Sequence, residues 1–153
     1  PNMIDKGIRE LLDHPEYLCT NLCAELTESE WQDPDEVKVA TNLLGHAIFM
    51  SRSPIPSNTI GLVGPRIKQL GIFFFRLKSL LLFQSLPKTP LEVSEAVEML
   101  RAIEHGHIIK MIKIDSPCSS VDNPEQREQV EMMMLEDPFW PQYSNQQERT
   151  ENA

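Results

Sequence analysis

Pro65-Arg66-Ile67-Lys68-Gln69-Leu70-Gly71-Ile72-Phe73-Phe74-Phe75-Arg76-Leu77-Lys78-Ser79-Leu80-Leu81-Leu82-Phe83-Gln84-Ser85-Leu86 is the most apolar stretch of the chain, and its reading decides the fold. Its polar side chains scatter around a helical wheel, which predicts one central helix enclosed by its neighbours. The run approaches the roughly 20 residues that span a bilayer. Lys68, Gln69, Arg76 and Lys78 interrupt it, however, and each charge near a bilayer centre costs about 3 kcal/mol on insertion scales. Burial inside a helical domain is therefore the expectation, and no membrane contact is assigned.

The flanking segments extend the helical reading. Upstream, Val39, Leu43, Leu44, Ala47, Ile48 and Met50 follow helical spacing, predicting a helix over residues 35–51 that ends before the surface loop carrying Pro54 and Pro56. Downstream, Thr89, Pro90 and Glu92 form a helix start, because a hydroxyl cap, a proline in the first turn and a reciprocating glutamate coincide. Val93, Val97, Leu100 and Ile103 then give an apolar face, and Glu92, Glu95, Glu98 and Arg101 a solvated one, over residues 90–104. Ile108 to Ile114 is rich in β-branched residues and leaves two readings, a short strand or another helical turn.

Near the N-terminus, Ile4, Ile8, Leu11 and Leu12 predict an amphipathic helix halted at His14-Pro15. A second helix is expected to carry Leu18, Leu22 and Leu26 at fourfold spacing, with Cys19 and Cys23 beside that stripe. Residues 27–34 read as a connector, although Thr27 and Glu30 have the spacing of a capping box. The fold class expected from the sequence is all-α: a compact multi-helix domain over residues 1–114, then an acidic tail over 115–153. That tail offers a short Met-rich helix at about 124–136 and the aromatic segment Phe139-Trp140-Pro141-Gln142-Tyr143.

Charge is segregated along the chain. Val37 to Leu91 contains no Asp or Glu and seven Lys or Arg, so the segments before, within and after it carry −8, +7 and −8. An acidic surface, from the flanks or from a partner, is expected to complement the middle. Three cysteines without framework spacing point to a reducing, intracellular compartment, and the Ser-Pro pairs with the composition of the tail point to the nucleus rather than the cytoplasm. The opening Pro1-Asn2-Met3 points to an excised piece of something longer or to a processed chain.

Catalytic patterns are scarce. No glycine-flanked serine and no phosphate-cradling glycine loop occurs, and His14, Cys19 and Cys23 lack an evident fourth zinc ligand, so neither a catalytic site, a cofactor nor a metal is assigned. The functional expectation is a non-catalytic scaffold or adaptor domain. It would hold another protein by hydrophobic and charge-complementary contacts through Met133, Met134, Phe139, Trp140, Tyr143, Arg66, Lys68, Arg76 and Lys78. The alternative is a helical or winged-helix-like nucleic-acid-binding module using the basic segment 37–91.

Overall fold

The computed structural model describes residues 2–57, 59, 61, 64–115, 124–138 and 140. The chain divides into two units, Pro1–Ser116 and Pro117–Ala153. Contrary to the all-α expectation, the first unit is a mixed α/β domain built on a five-stranded sheet.

Its elements run α1 (Asn2–Asp13), β1 (Tyr17–Glu25), α2 (Glu28–Gln32), β2 (Lys38–Thr41), β3 (Ala47–Ser51), β4 (Ile67–Phe75), α3 (Leu77–Ser85), α4 (Pro90–Glu95), α5 (Met99–Glu104) and β5 (Ile108–Lys113). The strand order is β3-β2-β4-β1-β5, with β1 parallel to β5 and antiparallel to β4. The sheet curls until its outer strands meet. There His46 bridges to Lys110, and the Met111 N–H donates to Gly45 O at 2.9 Å.

Each contradicted helix has a local cause. The segment expected to be the second helix is β1, whose first seven residues are all buried. Where both faces of a strand are covered, apolar residues need no alternation, and a fourfold pattern can arise by default. The predicted helix over 35–51 is the β2–β3 hairpin. Asn42 makes the turn, its Oδ1 accepting from the N–H groups of Leu44 (2.9 Å) and His46 (3.0 Å), and Gly45 supplies the left-handed φ of +73°.

The enclosed helix expected over 65–86 divides into β4 and α3 at Arg76. That guanidinium donates to Leu11 O, to His14 O at 3.0 Å and to Tyr17 O at 3.2 Å, tying the strand end to the loop after α1. The helix expected over 90–104 is interrupted where Ala96 adopts a left-handed conformation, giving α4 and α5. Ile108 to Lys113 resolves as β5, a strand.

One core cluster joins Cys19 and Cys23 of β1, Val39 of β2, Met50 of β3, Ile109 and Met111 of β5, and Leu100 and Ala102 of α5. On β1, Thr20 donates its hydroxyl to Gly7 O at 2.8 Å, fixing α1 against the sheet. Asn21 bridges a register shift by donating from Nδ2 to Leu70 O (2.7 Å) and Ile72 O (2.9 Å). Among the described residues no helix is long and apolar enough to cross a membrane. In the second unit, α6 (Pro124–Leu135) carries an Arg127–Glu131 ion pair at 3.3 Å and leaves Met133 and Met134 partly exposed.

Candidate functional site

The densest polar construction in the first unit surrounds the segment Ser51-Arg52-Ser53-Pro54-Ile55-Pro56, which leaves the end of β3. Ser51 is buried, and its hydroxyl donates to Glu95 Oε2 at 2.8 Å. The same oxygen accepts the Arg52 N–H at 3.2 Å, and Ser51 Oγ in turn accepts the Ser53 N–H at 3.0 Å. From the other side, Lys38 Nζ donates to Arg52 O at 2.9 Å and to Asp33 O. The Arg52 guanidinium reaches Pro34 O at 3.0 Å. Further along, the Trp31 indole N–H donates to Ile55 O at 3.2 Å, and the Ile55–Pro56 peptide is cis. Main-chain groups on both sides of Arg52 are thus fixed, while Ser53, Pro54 and Pro56 face solvent.

The lysine that reaches this loop, Lys38 on β2, lies in direct register with Lys68 on β4. Their environments differ. Lys68 is paired with Glu30 at 2.7 Å and Glu36 at 2.6 Å. Burial alone would lower its pKa, but the two carboxylates overcome that and hold it above the ordinary lysine value. Lys38 is 0% exposed, and its hydrogen bonds go to main-chain carbonyls. Burial lowers its pKa, partly offset by the more distant Asp33 and Glu36 carboxylates. With Asp33 and Glu36 nearby and Glu95 against the same loop, the part of this cation is to fix the Arg52 carbonyl in place.

A second polar cluster sits where the outer strands meet. Tyr17 stacks on His14 at 4.7 Å and meets His46 edge-on at 5.2 Å, its hydroxyl 3.4 Å from His46 Nε2. Burial and the nearby Lys110 ammonium hold the His46 pKa below its usual value. Among the described residues no group of three or more His, Cys, Asp or Glu is placed to hold a metal ion.

The residues expected to form a partner surface are dispersed. Arg66 pairs with Glu28 and lies over the Trp31 ring at 3.8 Å, Lys68 is enclosed by its two glutamates, and Arg76 is bound to three carbonyls. Lys78 is exposed on α3. Acids of the N-terminal flank therefore pair with Arg66 and Lys68 of the basic middle segment within one unit. Met133, Met134 and Trp140 belong to the second unit, and Phe139 and Tyr143 lie outside the described residues. Lys38, Ser51, Arg52 and Glu95 were not singled out by the sequence reading as one site. The available signal was the Asn42…Gly45 turn pair, which would have turned residues 38–51 into a hairpin and placed Lys38 beside Ser51.

The family profile described as Cytidylyltransferase matches residues 1–114. The chain belongs to the cytidylyltransferase family. Among curated relatives of this cytidylyltransferase chain, the 3-deoxy-manno-octulosonate cytidylyltransferase of Zea mays is 34% identical over 137 residues, covering 88% of this chain and 46% of the relative. That of Solibacter usitatus (strain Ellin6076) is 36% identical over 132 residues, covering 85% and 52%. A solved structure of CMP:2-keto-3-deoxy-manno-octonic acid synthetase complexed with CTP superposes with a TM-score of 0.81 at 28% identity, covering 89% of this chain and 56% of that one. The chain spans about half the length of the curated relatives it matches.

Family membership overturns the non-catalytic scaffold expected from the sequence, and with it both the protein-partner and nucleic-acid-binding readings. The physical reason is visible in Arg66, Lys68 and Arg76. Charges that look free for a partner in the sequence are engaged by Glu28, Glu30, Glu36 and main-chain carbonyls.

Proposed function

We propose that this cytidylyltransferase chain serves the transfer of a cytidylyl group from CTP to a hydroxyl of an eight-carbon keto sugar acid of the 3-deoxy-manno-octulosonate type. The observation that carries this reading is the family match over residues 1–114, reinforced by relatives that share that substrate in their names. In the reaction the sugar hydroxyl oxygen attacks the α-phosphorus of CTP and forms the new phosphorus–oxygen bond. The bond from the α-phosphorus to the bridging oxygen breaks, pyrophosphate leaves with the electron pair, and the hydroxyl proton passes to water. Positioning and charge stabilisation dominate such displacements at phosphorus.

The Ser51–Pro56 segment is assigned to the sugar acid. Its acceptor substrate is a carboxylate, and a rigid loop whose main chain is fixed on both sides of Arg52, with the Arg52 guanidinium and the exposed Ser53 at its head, suits that group. The test is calorimetric titration of the full chain with CTP and with 3-deoxy-manno-octulosonate, followed by a pyrophosphate-release assay with both. The reading expects saturable sugar-acid binding and pyrophosphate release that requires both substrates and falls when UTP replaces CTP. A chain that binds neither ligand overturns it.

A further inference from the structure

Among the described residues Lys38 is the largest fully buried side chain, and the reaction proposed above gives it no direct part. Burying an ammonium is costly unless its protons are all used productively. Here two of its three protons join segments that are distant in sequence: Asp33 O in the turn after α2, and Arg52 O in the loop after β3. The bond to Asp33 spans 5 positions of sequence and the bond to Arg52 spans 14. Glu95, from α4, takes the opposite side of the same peptide region through the Arg52 N–H and the Ser51 hydroxyl. The Arg52 guanidinium returns to Pro34 O, so the turn at Asp33–Pro34 is linked to Arg52 through both main chain and side chain. Removing the ammonium would free the Arg52 carbonyl and loosen that turn together.

We propose that Lys38 is a positioning residue: its buried ammonium pins Arg52 to the Asp33–Pro34 turn and thereby sets where Arg52 and Ser53 meet the carboxylate of the sugar acid. The inference rests on the cytidylyltransferase reading for its substrate and on the hydrogen-bond geometry for its clamp. A methionine of similar length fills the same space without charge or donors, and it leaves the Asp33 and Arg52 carbonyls without this donor, so a loss of stability accompanies it. The thermal midpoint measures that loss, so that loop placement is judged beyond it. Lys38→Arg keeps charge and donors.

The experiment compares the wild-type chain, Lys38→Met and Lys38→Arg by three measurements. These are the thermal midpoint, the calorimetric affinity for 3-deoxy-manno-octulosonate, and amide hydrogen exchange at Arg52 and Ser53. The expected result is a folded Lys38→Met protein whose sugar-acid affinity falls about tenfold or more and whose Arg52 and Ser53 amides exchange at least about tenfold faster, with Lys38→Arg recovering part of both. A Lys38→Met protein with unchanged affinity and unchanged exchange overturns the proposal, as does a loss of affinity no larger than the accompanying loss of stability explains. If the wild type itself fails to bind the sugar acid, the functional reading and the purpose assigned to Lys38 fall. The exchange contrast then judges the clamp by itself, and unchanged exchange overturns that too.

Discussion

The guanidinium carbon of Arg66 lies 3.8 Å from the centroid of the Trp31 ring, while the same indole donates its N–H to Ile55 O at 3.2 Å. One buried side chain of α2 thus holds both ends of the segment that leaves β3 and re-enters at β4. Trp31→Ala should remove about 3–5 kcal/mol of stability through lost burial and the cavity left behind. Trp31→Phe keeps an aromatic face beneath Arg66 but leaves Ile55 O without its donor, for a smaller loss of about 1–3 kcal/mol. Chemical denaturation of the two variants separates the terms. A Phe variant as stable as the wild type would show that the Ile55 bond contributes nothing.

Gly7 is required by contact. A Cβ at this position would clash with Phe74 Cε2, inside the packing of α1 on β4. Ordinarily Gly→Ala in a helix is stabilising by up to about 1 kcal/mol. Here overpacking should reverse the sign, and Gly7→Ala is expected to destabilise by about 1–3 kcal/mol. Pairing it with Phe74→Leu should recover a substantial part, so a double-mutant cycle must give a non-additive result. Additive losses would show that the ring is not the obstacle.

Glu92 and Arg101 form a buried two-point ion pair, with Nε to Oε2 at 2.8 Å and Nη2 to Oε1 at 2.5 Å, and Glu92 also accepts the Thr89 N–H at 3.4 Å. The Arg101 hydrogen bond holds the Glu92 pKa below the usual carboxylate value, against the opposing effect of burial. A carboxyl lowered in the folded state favours folding at pH values above its unfolded pKa, and that stability is lost as pH falls through the folded pKa. Acid should therefore weaken the wild type progressively below about pH 4.5. Glu92→Gln should be less stable at neutral pH, with about 3–5 kcal/mol as the scale for a broken buried pair, and its stability should vary less across that acid range. Denaturation midpoints measured across the acid range decide it; parallel curves would remove Glu92 as the titrating group.

What the sequence disclosed and what it hid follow one physical division. α1 is legible because Ile4, Ile8, Leu11 and Leu12 repeat at helical spacing beside a proline stop, and the start of α4 because Thr89, Pro90 and Glu92 are a local signal. β1 is not, because a strand covered on both faces loses the alternation that distinguishes it from buried helix, and β4 is not, because its apolar run Leu70 to Phe75 continues without alternation although Gly71 and Ile72 are exposed. The site is hidden for a further reason. Lys68 finds Glu30 and Glu36 more than thirty positions away, and Ser51 finds Glu95 44 positions away, contacts that only sheet topology creates. Glu92 and Glu95, which on a helical wheel look like a solvated face, are consequently a buried ion-pair partner and a loop anchor.

Cys19 and Cys23 lie on the covered side of β1, and burial pushes the Cys19 thiol up to about 12 and the Cys23 thiol up to about 11. At Cys23 the ammonium groups of Lys113 and Lys6 oppose that rise without cancelling it. Thiolate is the reactive and metal-binding form, so neither residue offers a nucleophile or a zinc ligand at neutral pH while the sheet is intact. In a Cys118→Ser background, an aromatic disulfide reagent at pH 8 should titrate no thiol in the native protein and two in denaturant. Native-state labelling, where it occurs, should be slow and should accelerate with denaturant, because it requires the strand to open. Prompt reaction of either thiol under native conditions would contradict the burial of β1 among α1, α3 and its neighbouring strands.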